Sequence, residues 1–245
     1  MPVLLALSVA LQFFCLVHMV RTGRPYWWLW IILIGSFLGV AVYIVTQVLP
    51  DLRASPKARR AARRVQQALD PARERRRIEA ELAVSDTVQN RLRLARECLA
   101  LGDAGNAVVL FESCLKGLHA NDPHIMLGLA QAQFAHGDAG ATRRTLEALI
   151  TANPAFRSAD GHLLYARALE QLGDVDAALH EYEALSEGYP GEEGRMRYAL
   201  LLRRIGRPEE ARRLFDQTLA RAKIAPRHYR QENHEWIELA KQHAG

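Results

Sequence analysis

The sequence predicts an all-α protein, with a transmembrane helical hairpin followed by a solenoid of about four helix pairs and a C-terminal capping helix. Glycine recurs between helical apolar patterns at Gly102, Gly137, Gly173 and Gly206, at intervals of 35, 36 and 33 residues. Two N-terminal apolar stretches contain no acidic residue, lysine or arginine, and a basic segment follows them. These changes in composition divide the chain into residues 1–50, 51–86, 87–225 and 226–245.

Residues 2–20 and 26–49 are the two apolar stretches. As helices they would reach roughly 28 and 36 Å, against about 30 Å for the hydrocarbon core of a bilayer. Only residues 21–25 separate them, so a tight hairpin is expected, with Gly35 and Gly39 allowing close helix packing in the membrane. A cleaved signal peptide, or a first stretch that lies in the membrane interface, remain alternatives.

The basic segment between Arg53 and Arg77 contains ten basic and two acidic residues. Such a block after a span favours a cytoplasmic position for the repeats. Ser55 with Pro56 predicts the start of one helix, and a second helix is expected after Pro71. Nucleic acid is not an expected partner, because no aromatic residues alternate with the basic ones. The residues expected to contact anionic headgroups are Arg59, Arg60, Arg63, Arg64, Arg75, Arg76 and Arg77.

Residues 21–30, together with Gly39 and Tyr43, resemble the two-span N-terminal module of bacterial cardiolipin synthases and other phospholipase D relatives. The resemblance covers about residues 1–50 and implies an anchor in a bacterial inner membrane. The chemistry of those enzymes resides in His-x-Lys-x4-Asp motifs. None of the nine histidines here is followed two positions later by lysine, so only an anchor is implied.

Residues 88–223 resemble tetratricopeptide (TPR) repeats, whose period is near 34 residues. Small residues allow helices to cross closely, and a bulky residue four positions later fills the adjacent groove. The first small residue of each unit is Ala95, Ala130, Ala166 or Ala199. The second is Ala107, Ala178 or Ala211, with Thr142 departing from the pattern. The bulky residue is Phe111, Leu146, Tyr182 or Phe215.

Other local patterns extend this interpretation. Asp86 and Gln89 have the spacing of a capping box that would begin the array. Cys98 and Cys114 have the helical phase of packed core residues. After Pro226, an amphipathic segment to about Gln242 is expected to cap the array, which repeat proteins require for solubility.

The TPR resemblance implies a concave surface lined by the first helix of each pair. Its mixture of apolar and basic residues suits an extended or helical peptide with acidic character. The residues nominated for partner binding are Arg96, Leu99, Leu127, Gln131, Phe134, Leu163, Arg167, Glu170, Leu200 and Arg203.

No catalytic residue, cofactor site or metal site is expected, because no known metal, phosphate-binding or nucleophile motif occurs. The sequence therefore predicts a non-enzymatic, membrane-anchored scaffold that binds other proteins or peptide segments at the cytoplasmic face, in envelope or lipid assembly. The alternative is a regulatory subunit of a membrane enzyme that packs through its hairpin. A homo-oligomer is also left open.

Overall fold

Helices form nearly all of the part of the chain that the computed structural model describes, residues 2–23, 25–34, 36–48 and 70–243. No strand occurs within these ranges. The chain divides into two units, residues 1–73 and 74–245. The predicted helix start at Ser55 and the predicted membrane-surface residues Arg59, Arg60, Arg63 and Arg64 lie outside the described residues.

The first unit consists of α1 (Pro2–Arg21), α2 (Trp27–Ile34), α3 (Ser36–Tyr43) and a π-helical turn at Ile44–Val48. Gly23, with φ +64, lies in the loop between α1 and α2. The buried side chains of this unit are those of Cys15, Met19, Trp28, Ile32, Val40 and Tyr43. Tyr43 is central to the cluster because its ring packs edge-on against Trp28, with a centroid distance of 5.2 Å.

The predicted second span is divided between α2 and α3. A Cβ atom at Gly39 would lie 2.0 Å from the carbonyl oxygen of Ile31. Residues eight apart in one continuous helix are separated by about 12 Å along its axis, so α3 packs beside α2. The close contact of Gly39 is therefore with Ile31 of α2, within the predicted second span of residues 26–49. Gly35 is not among the described residues. Among those residues, no helix has both the length and the apolar character needed to cross a membrane.

Within residues 70–243, the second unit contains α4 (Arg73–Val84), four antiparallel helix pairs and two C-terminal helices. A 3₁₀ turn at Gly117–His119 links the first two pairs. The pairs are α5 (Val88–Ala100) with α6 (Ala104–Cys114), α7 (Pro123–Ala135) with α8 (Ala139–Ala152), α9 (Ala159–Gln171) with α10 (Val175–Gly188), and α11 (Glu193–Arg204) with α12 (Pro208–Ile224). The C-terminal helices are α13 (Arg227–Glu232) and α14 (His234–His243).

Helix α4 belongs to the array, although the sequence predicts a linker over residues 51–86. Ile78 is buried in the core of the first pair, and Leu82 packs against that core. Arg75, predicted to contact headgroups, donates to Asp103 at 2.8 Å and to Glu79 at 2.7 Å. Arg77 forms an ion pair with Glu74 on its own helix. Arg76 also makes a polar or electrostatic interaction. Apolar burial therefore makes α4 the N-terminal cap of the array.

The recurring glycines form the turns between paired helices, as their spacing predicts. Gly102, Gly137, Gly173 and Gly206 have φ values of +81, +92, +78 and +84, a region that glycine occupies without steric cost. The residue after each glycine donates its N–H to a carbonyl of the first helix, for example Asp103 to Cys98 at 2.8 Å. This is the pattern of a Schellman motif. Three of the following helices then begin at an aspartate N-cap, at Asp103, Asp138 and Asp174.

Fully buried alanines lie at the helix crossings. Ala95, Ala130, Ala166 and Ala199 are each 0% exposed. Gly128 continues this close approach on α7, since a Cβ there would lie 2.6 Å from the ring of Phe111. Larger residues at such positions force side chains and backbone to shift, at a cost of about 1–3 kcal/mol. The crossings therefore fix the spacing of the helices.

The departure at Thr142 is accommodated by hydrogen bonding. Its side chain is fully buried, and its hydroxyl donates to the carbonyl of Asp138 at 2.8 Å. Threonine adds a methyl and a hydroxyl group to the alanine side chain, and the buried hydroxyl needs the hydrogen-bond partner that this backbone carbonyl of the preceding turn supplies. The two repeat cysteines are buried free thiols. Burial raises the pKa of both Cys98 and Cys114, which makes them unreactive core residues.

The predicted capping box at Asp86 is wrong. Thr87 is the N-cap of α5, and its side chain accepts from the N–H of Asn90. The Asp86 carboxylate instead pairs with Arg91, whose hydrogen bond and charge lower the pKa of that carboxyl. The helix therefore begins one residue later than the capping box predicts, and Asp86 lies outside the cap.

The C-terminal segment breaks into α13 and α14 where a single helix was expected. Helix α14 packs on α12 and on α11, and it buries Ile237 and Ala240. The guanidinium of Arg197 lies over the ring of Trp236, 5.3 Å from its centroid. The break falls at Asn233, whose side-chain oxygen accepts the backbone N–H of Glu192 at 2.8 Å.

Glu192 is a buried carboxylate at the start of α11, and its side chain is 0% exposed. It accepts from Arg195 at 2.8 Å, from Thr218 at 3.1 Å and from Tyr229 at 2.8 Å. Arg221 approaches it to 3.4 Å. These partners belong to α11, α12 and α13, so one carboxylate joins the last pair to the cap.

Arg195 extends this network to the third pair. Its guanidinium donates to the carbonyl of Ser186 on α10 at 2.5 Å. Removing one member of a buried ion pair leaves the other charge without compensation, which costs far more than losing a surface pair. The sequence alone gives no sign of this cluster, because the residues that form it are distant in the chain.

We expect Glu192→Gln to lower the free energy of unfolding of the full-length chain by about 3–5 kcal/mol, because Arg195 then stays buried without a counter-ion. Urea denaturation followed by circular dichroism measures the change. Glu187→Gln, at an exposed position on α10, is the matched control and should stay within about 0.5 kcal/mol of wild type. Equal stability of Glu192→Gln and wild type would contradict the role of this carboxylate.

Candidate functional site

The first helices of the four pairs, α5, α7, α9 and α11, carry two adjoining depressions, and we call this surface the first-helix face. The first depression, of about 330 Å³, lies between α5 and α7. The second, of about 180 Å³, lies among α7, α9 and α11. Together they are lined by Arg96, Leu99, Ala100, Phe111, His124, Leu127, Gly128 and Gln131, and by Phe134, Arg167, Glu170, Gln171, Arg197 and Arg204.

The second depression carries an excess of positive charge. Arg204 lies 3.0 Å from Glu170, and Arg167 and Arg197 share Glu193, at 3.9 and 2.7 Å. Three guanidinium groups therefore face two carboxylates. An additional carboxylate placed here could pair with the surplus guanidinium group, because guanidinium and carboxylate groups form strong charge-assisted hydrogen bonds.

Arg167 is the most constrained of these arginines. Its guanidinium lies 4.5 Å from the centroid of the Phe134 ring, in a cation–π contact. Burial lowers its pKa from the ordinary value, and the neighbouring charge of Arg197 lowers it further. The guanidinium is thus partly desolvated and close to a like charge, conditions that favour an incoming anion.

Glu170 is held in place by the core of the third pair. The hydroxyl of Tyr182, a fully buried residue of α10, donates to it at 2.7 Å. Burial, followed by this hydrogen bond, raises the pKa of Tyr182. The carboxylate is therefore fixed between a buried phenol and the exposed Arg204.

The first depression is more apolar. Leu99 and Leu127 form its sides, and Arg96 and Gln131 are exposed at its edge. Its floor includes Gly128, which leaves room for the ring of Phe111 beneath. A peptide lying across both depressions would meet apolar surface first and arginines next.

Most of the nominated residues lie together on this face. Those that line the two depressions are Arg96, Leu99, Leu127, Gln131, Phe134, Arg167 and Glu170. Leu163 is instead buried in the core of the third pair, with 4% exposure. Leu200 packs against the core shared with α14, and Arg203 lies 2.6 Å from the ring nitrogen of His243. The last two lie where the capping helix α14 packs on the array, and Arg203 itself remains exposed.

Arg197 and Arg204 line the second depression, although neither was nominated. They lie seven residues apart on α11, and hence on one face of the helix. Arg204 directly follows the nominated Arg203. The i, i+7 spacing of two arginines was the available signal. Which of two neighbouring side chains faces the depression depends on how α11 packs.

Metal binding is the one chemistry for which the arrangement of His, Cys, Asp and Glu residues gives a direct answer. No group of three or more His, Cys, Asp or Glu residues there is arranged to hold a metal ion. The contact of His162 with Glu181, at 2.6 Å, is a single histidine–carboxylate pair away from the first-helix face.

Comparison with known proteins identifies the fold. No protein-family model matches this sequence, and no curated protein matches it either. The structure is similar to a crystal structure of MamA, with a TM-score of 0.54 and 20% identity, over 66% of this chain and 93% of that one. It is also similar to a thermophilic TPR protein from Thermus thermophilus, with a TM-score of 0.52 and 18% identity, over 68% and 86% of the two chains.

A third similar structure contains TPR-like repeats of a kinesin light chain from Podosopora anserina, with a TM-score of 0.50 and 22% identity, over 64% of this chain and 86% of that one. The described part of the chain is therefore helical, and its repeat unit has a TPR-like solenoid fold. The expected similarity of residues 1–50 to cardiolipin synthases receives no support from these comparisons.

Alkaline pH should weaken the third pair. Burial, followed by the nearby charge of Asp160, raises the pKa of Tyr189 to about 12, and the pKa of Tyr182 is also raised. A raised folded-state pKa gives stability that is complete below the unfolded value, near 10, and is lost as the pH rises through the folded value. Unfolding free energies at about pH 8 and about pH 11 measure this loss. Tyr182→Phe should show a smaller decline between them than wild type; an equal decline would exclude Tyr182 as its source.

Proposed function

We propose that this protein is a scaffold that holds a peptide segment of a partner protein along its first-helix face. The observation that carries the proposal is the adjacency of the two depressions on helices of successive pairs. Solenoids of stacked repeats commonly use extended surfaces of this kind for binding. The likeness to TPR structures supports the same conclusion at the level of the fold.

The charges indicate the chemistry of the partner. Arg96, Arg167, Arg197 and Arg204 border the path, while Leu99, Leu127 and Phe134 offer apolar contact. A segment that combines acidic and apolar side chains is complementary to this pattern, in an extended or a helical conformation. Charge complementarity would also speed its association with the face.

We further propose that the first unit attaches the protein to a bacterial inner membrane, with the repeats on the cytoplasmic side. Several large apolar side chains on this unit are exposed, and exposed apolar surface of sufficient size marks an interaction site. They are Phe13, Phe14, Val20, Tyr26, Trp27, Trp30, Val42 and Val45. Lipid would cover them, and the basic segment between Arg53 and Arg77 favours the cytoplasmic side.

Attachment would concentrate partners at the membrane and strengthen weak contacts without new ones. Envelope or lipid assembly is the setting that we propose for such a scaffold.

Photo-crosslinking in cells tests the binding face. Benzoylphenylalanine placed at Gln131, an exposed residue of the first depression, should give discrete partner adducts, whereas the same probe at Ala148, exposed on α8, should give few. Arg96→Glu should reduce the Gln131 adducts through charge repulsion. Arg144→Glu, on α8, is the matched control and should leave them unchanged. Equal adduct yields at Gln131 and Ala148 would reject the first-helix face as the binding surface.

Cell fractionation tests the attachment. The full-length chain should sediment with membranes and require detergent for release, because its exposed apolar side chains need cover. A chain beginning at residue 70 should remain in the supernatant. A reporter fused after Gly245 that becomes active only in the periplasm should stay inactive. Recovery of the full-length chain in the supernatant, or an active reporter, would overturn this part of the proposal.

A further inference from the structure

A cavity of about 400 Å³ lies between the second and third pairs. It is separate from the two depressions, and its walls are mostly apolar. Leu127, Leu146, Leu149, Ile150 and Phe156 supply them. Cavities of this size with a few polar groups are characteristic of specific binding sites.

Gly161 lies in the wall of the cavity, where α9 passes close to α7. It precedes the crossing alanine Ala166 by five positions, and Ile125 holds the same position relative to Ala130 on α7. Ile125 is buried in the core of the first and second pairs. A Cβ built on Gly161 would lie 3.2 Å from Leu127, so the glycine allows this close approach of the two helices.

Polar groups converge on one side of the cavity. The ring nitrogen Nε2 of His162 lies 2.6 Å from the carboxylate of Glu181, and both residues line the space. Tyr165 lines it as well, and its hydroxyl donates to Glu147 at 3.2 Å. The Glu181 carboxylate retains lone pairs for a further donor. The cavity therefore offers apolar walls and one acceptor group.

The wall that carries Phe156 is fixed by local contacts. Arg157 donates to the carbonyls of Pro154 and Phe156, at 2.6 and 3.1 Å. The Phe156 ring packs edge-on against His124, with a centroid distance of 5.3 Å. Because this loop is held at both ends, the cavity is largely preformed, which lowers the entropic cost of binding.

The cavity adjoins the proposed peptide path. Leu127 lines both the cavity and the first depression. His124, which contacts Phe156 of the cavity wall, also lines that depression. Leu127 and His124 therefore border both spaces, and the cavity lies next to the path proposed for the peptide.

We propose that this cavity is the anchor site for an aromatic side chain of the partner, a tryptophan or a tyrosine, an inference that rests on the proposed function. Aromatic side chains bury large apolar areas, and their N–H or O–H groups find hydrogen-bond partners when buried. The Glu181 carboxylate is the acceptor here. Tryptophan and tyrosine are also the residues that most often dominate binding energy at interfaces. A purely aliphatic side chain would make no hydrogen bond with Glu181 beyond the one that His162 already provides.

The test uses the full-length chain and N-acetyl-L-tryptophanamide as the probe, with N-acetyl-L-leucinamide for comparison. Saturation-transfer NMR should show binding of the tryptophan probe at least several-fold tighter than that of the leucine probe. Ala159→Trp, at an exposed residue that lines the cavity, should abolish this binding by filling the space. Ala220→Trp, exposed on α12, is the matched control and should not change it.

Glu181→Gln keeps the shape of the cavity and removes the charged acceptor. It should weaken binding of the tryptophan probe several-fold while leaving the leucine probe unaffected. No binding of the tryptophan probe, or binding that persists in Ala159→Trp, would overturn the anchor site. Failure of the proposed function is measured separately, by equal crosslinking yields at Gln131 and Ala148. In that case binding of the tryptophan probe in the cavity could not be assigned to a peptide partner.

Discussion

Each helix pair of this protein can bury its apolar side only against the next pair, and this stacking determines the rest of the repeat unit. The crossings stay close because Ala95, Ala130, Ala166 and Ala199 are fully buried, while a glycine in the left-handed region turns each first helix into its partner. The first helices then align along one face. The candidate binding surface is therefore a consequence of the stacking, since its residues come from four helices that the crossings hold in fixed order.

A stacked array has two ends that need cover, and this chain covers them by different physical means. At the N-terminal end, α4 contributes the apolar Ile78 and the ion pair between Arg75 and Asp103. At the C-terminal end, the buried Glu192 accepts hydrogen bonds from three elements and joins α11, α12 and α13. A buried charge of this kind requires every partner in place, so it specifies one arrangement of the cap as well as stabilising it.

The same stacking creates the sites. Where α9 and α11 bring Arg167, Arg197 and Arg204 together, three guanidinium groups share two carboxylates, and the surplus charge favours an acidic partner. The second and third pairs leave a cavity between them, with Gly161 in its wall. One site is polar and the other apolar, and Leu127 lines both the cavity and the first depression. A partner that uses both would combine charge recognition with an aromatic anchor.

The sequence by itself determined the helix pairs, because turns, caps and crossings follow from local spacing: the glycines, the aspartate caps after three of them, and the alanines are all visible in the chain. It also indicated seven residues of the first-helix face through the repeat pattern. Only the tertiary structure decided the roles of Arg197, Arg204 and Glu192, the packing of Gly39 against Ile31, the membership of α4 in the array and the contact of Arg203 with His243 of α14. Local periodicity specifies which side of a helix is apolar, whereas the few degrees of rotation and the distant partners that expose or bury a given side chain arise only when the helices pack together.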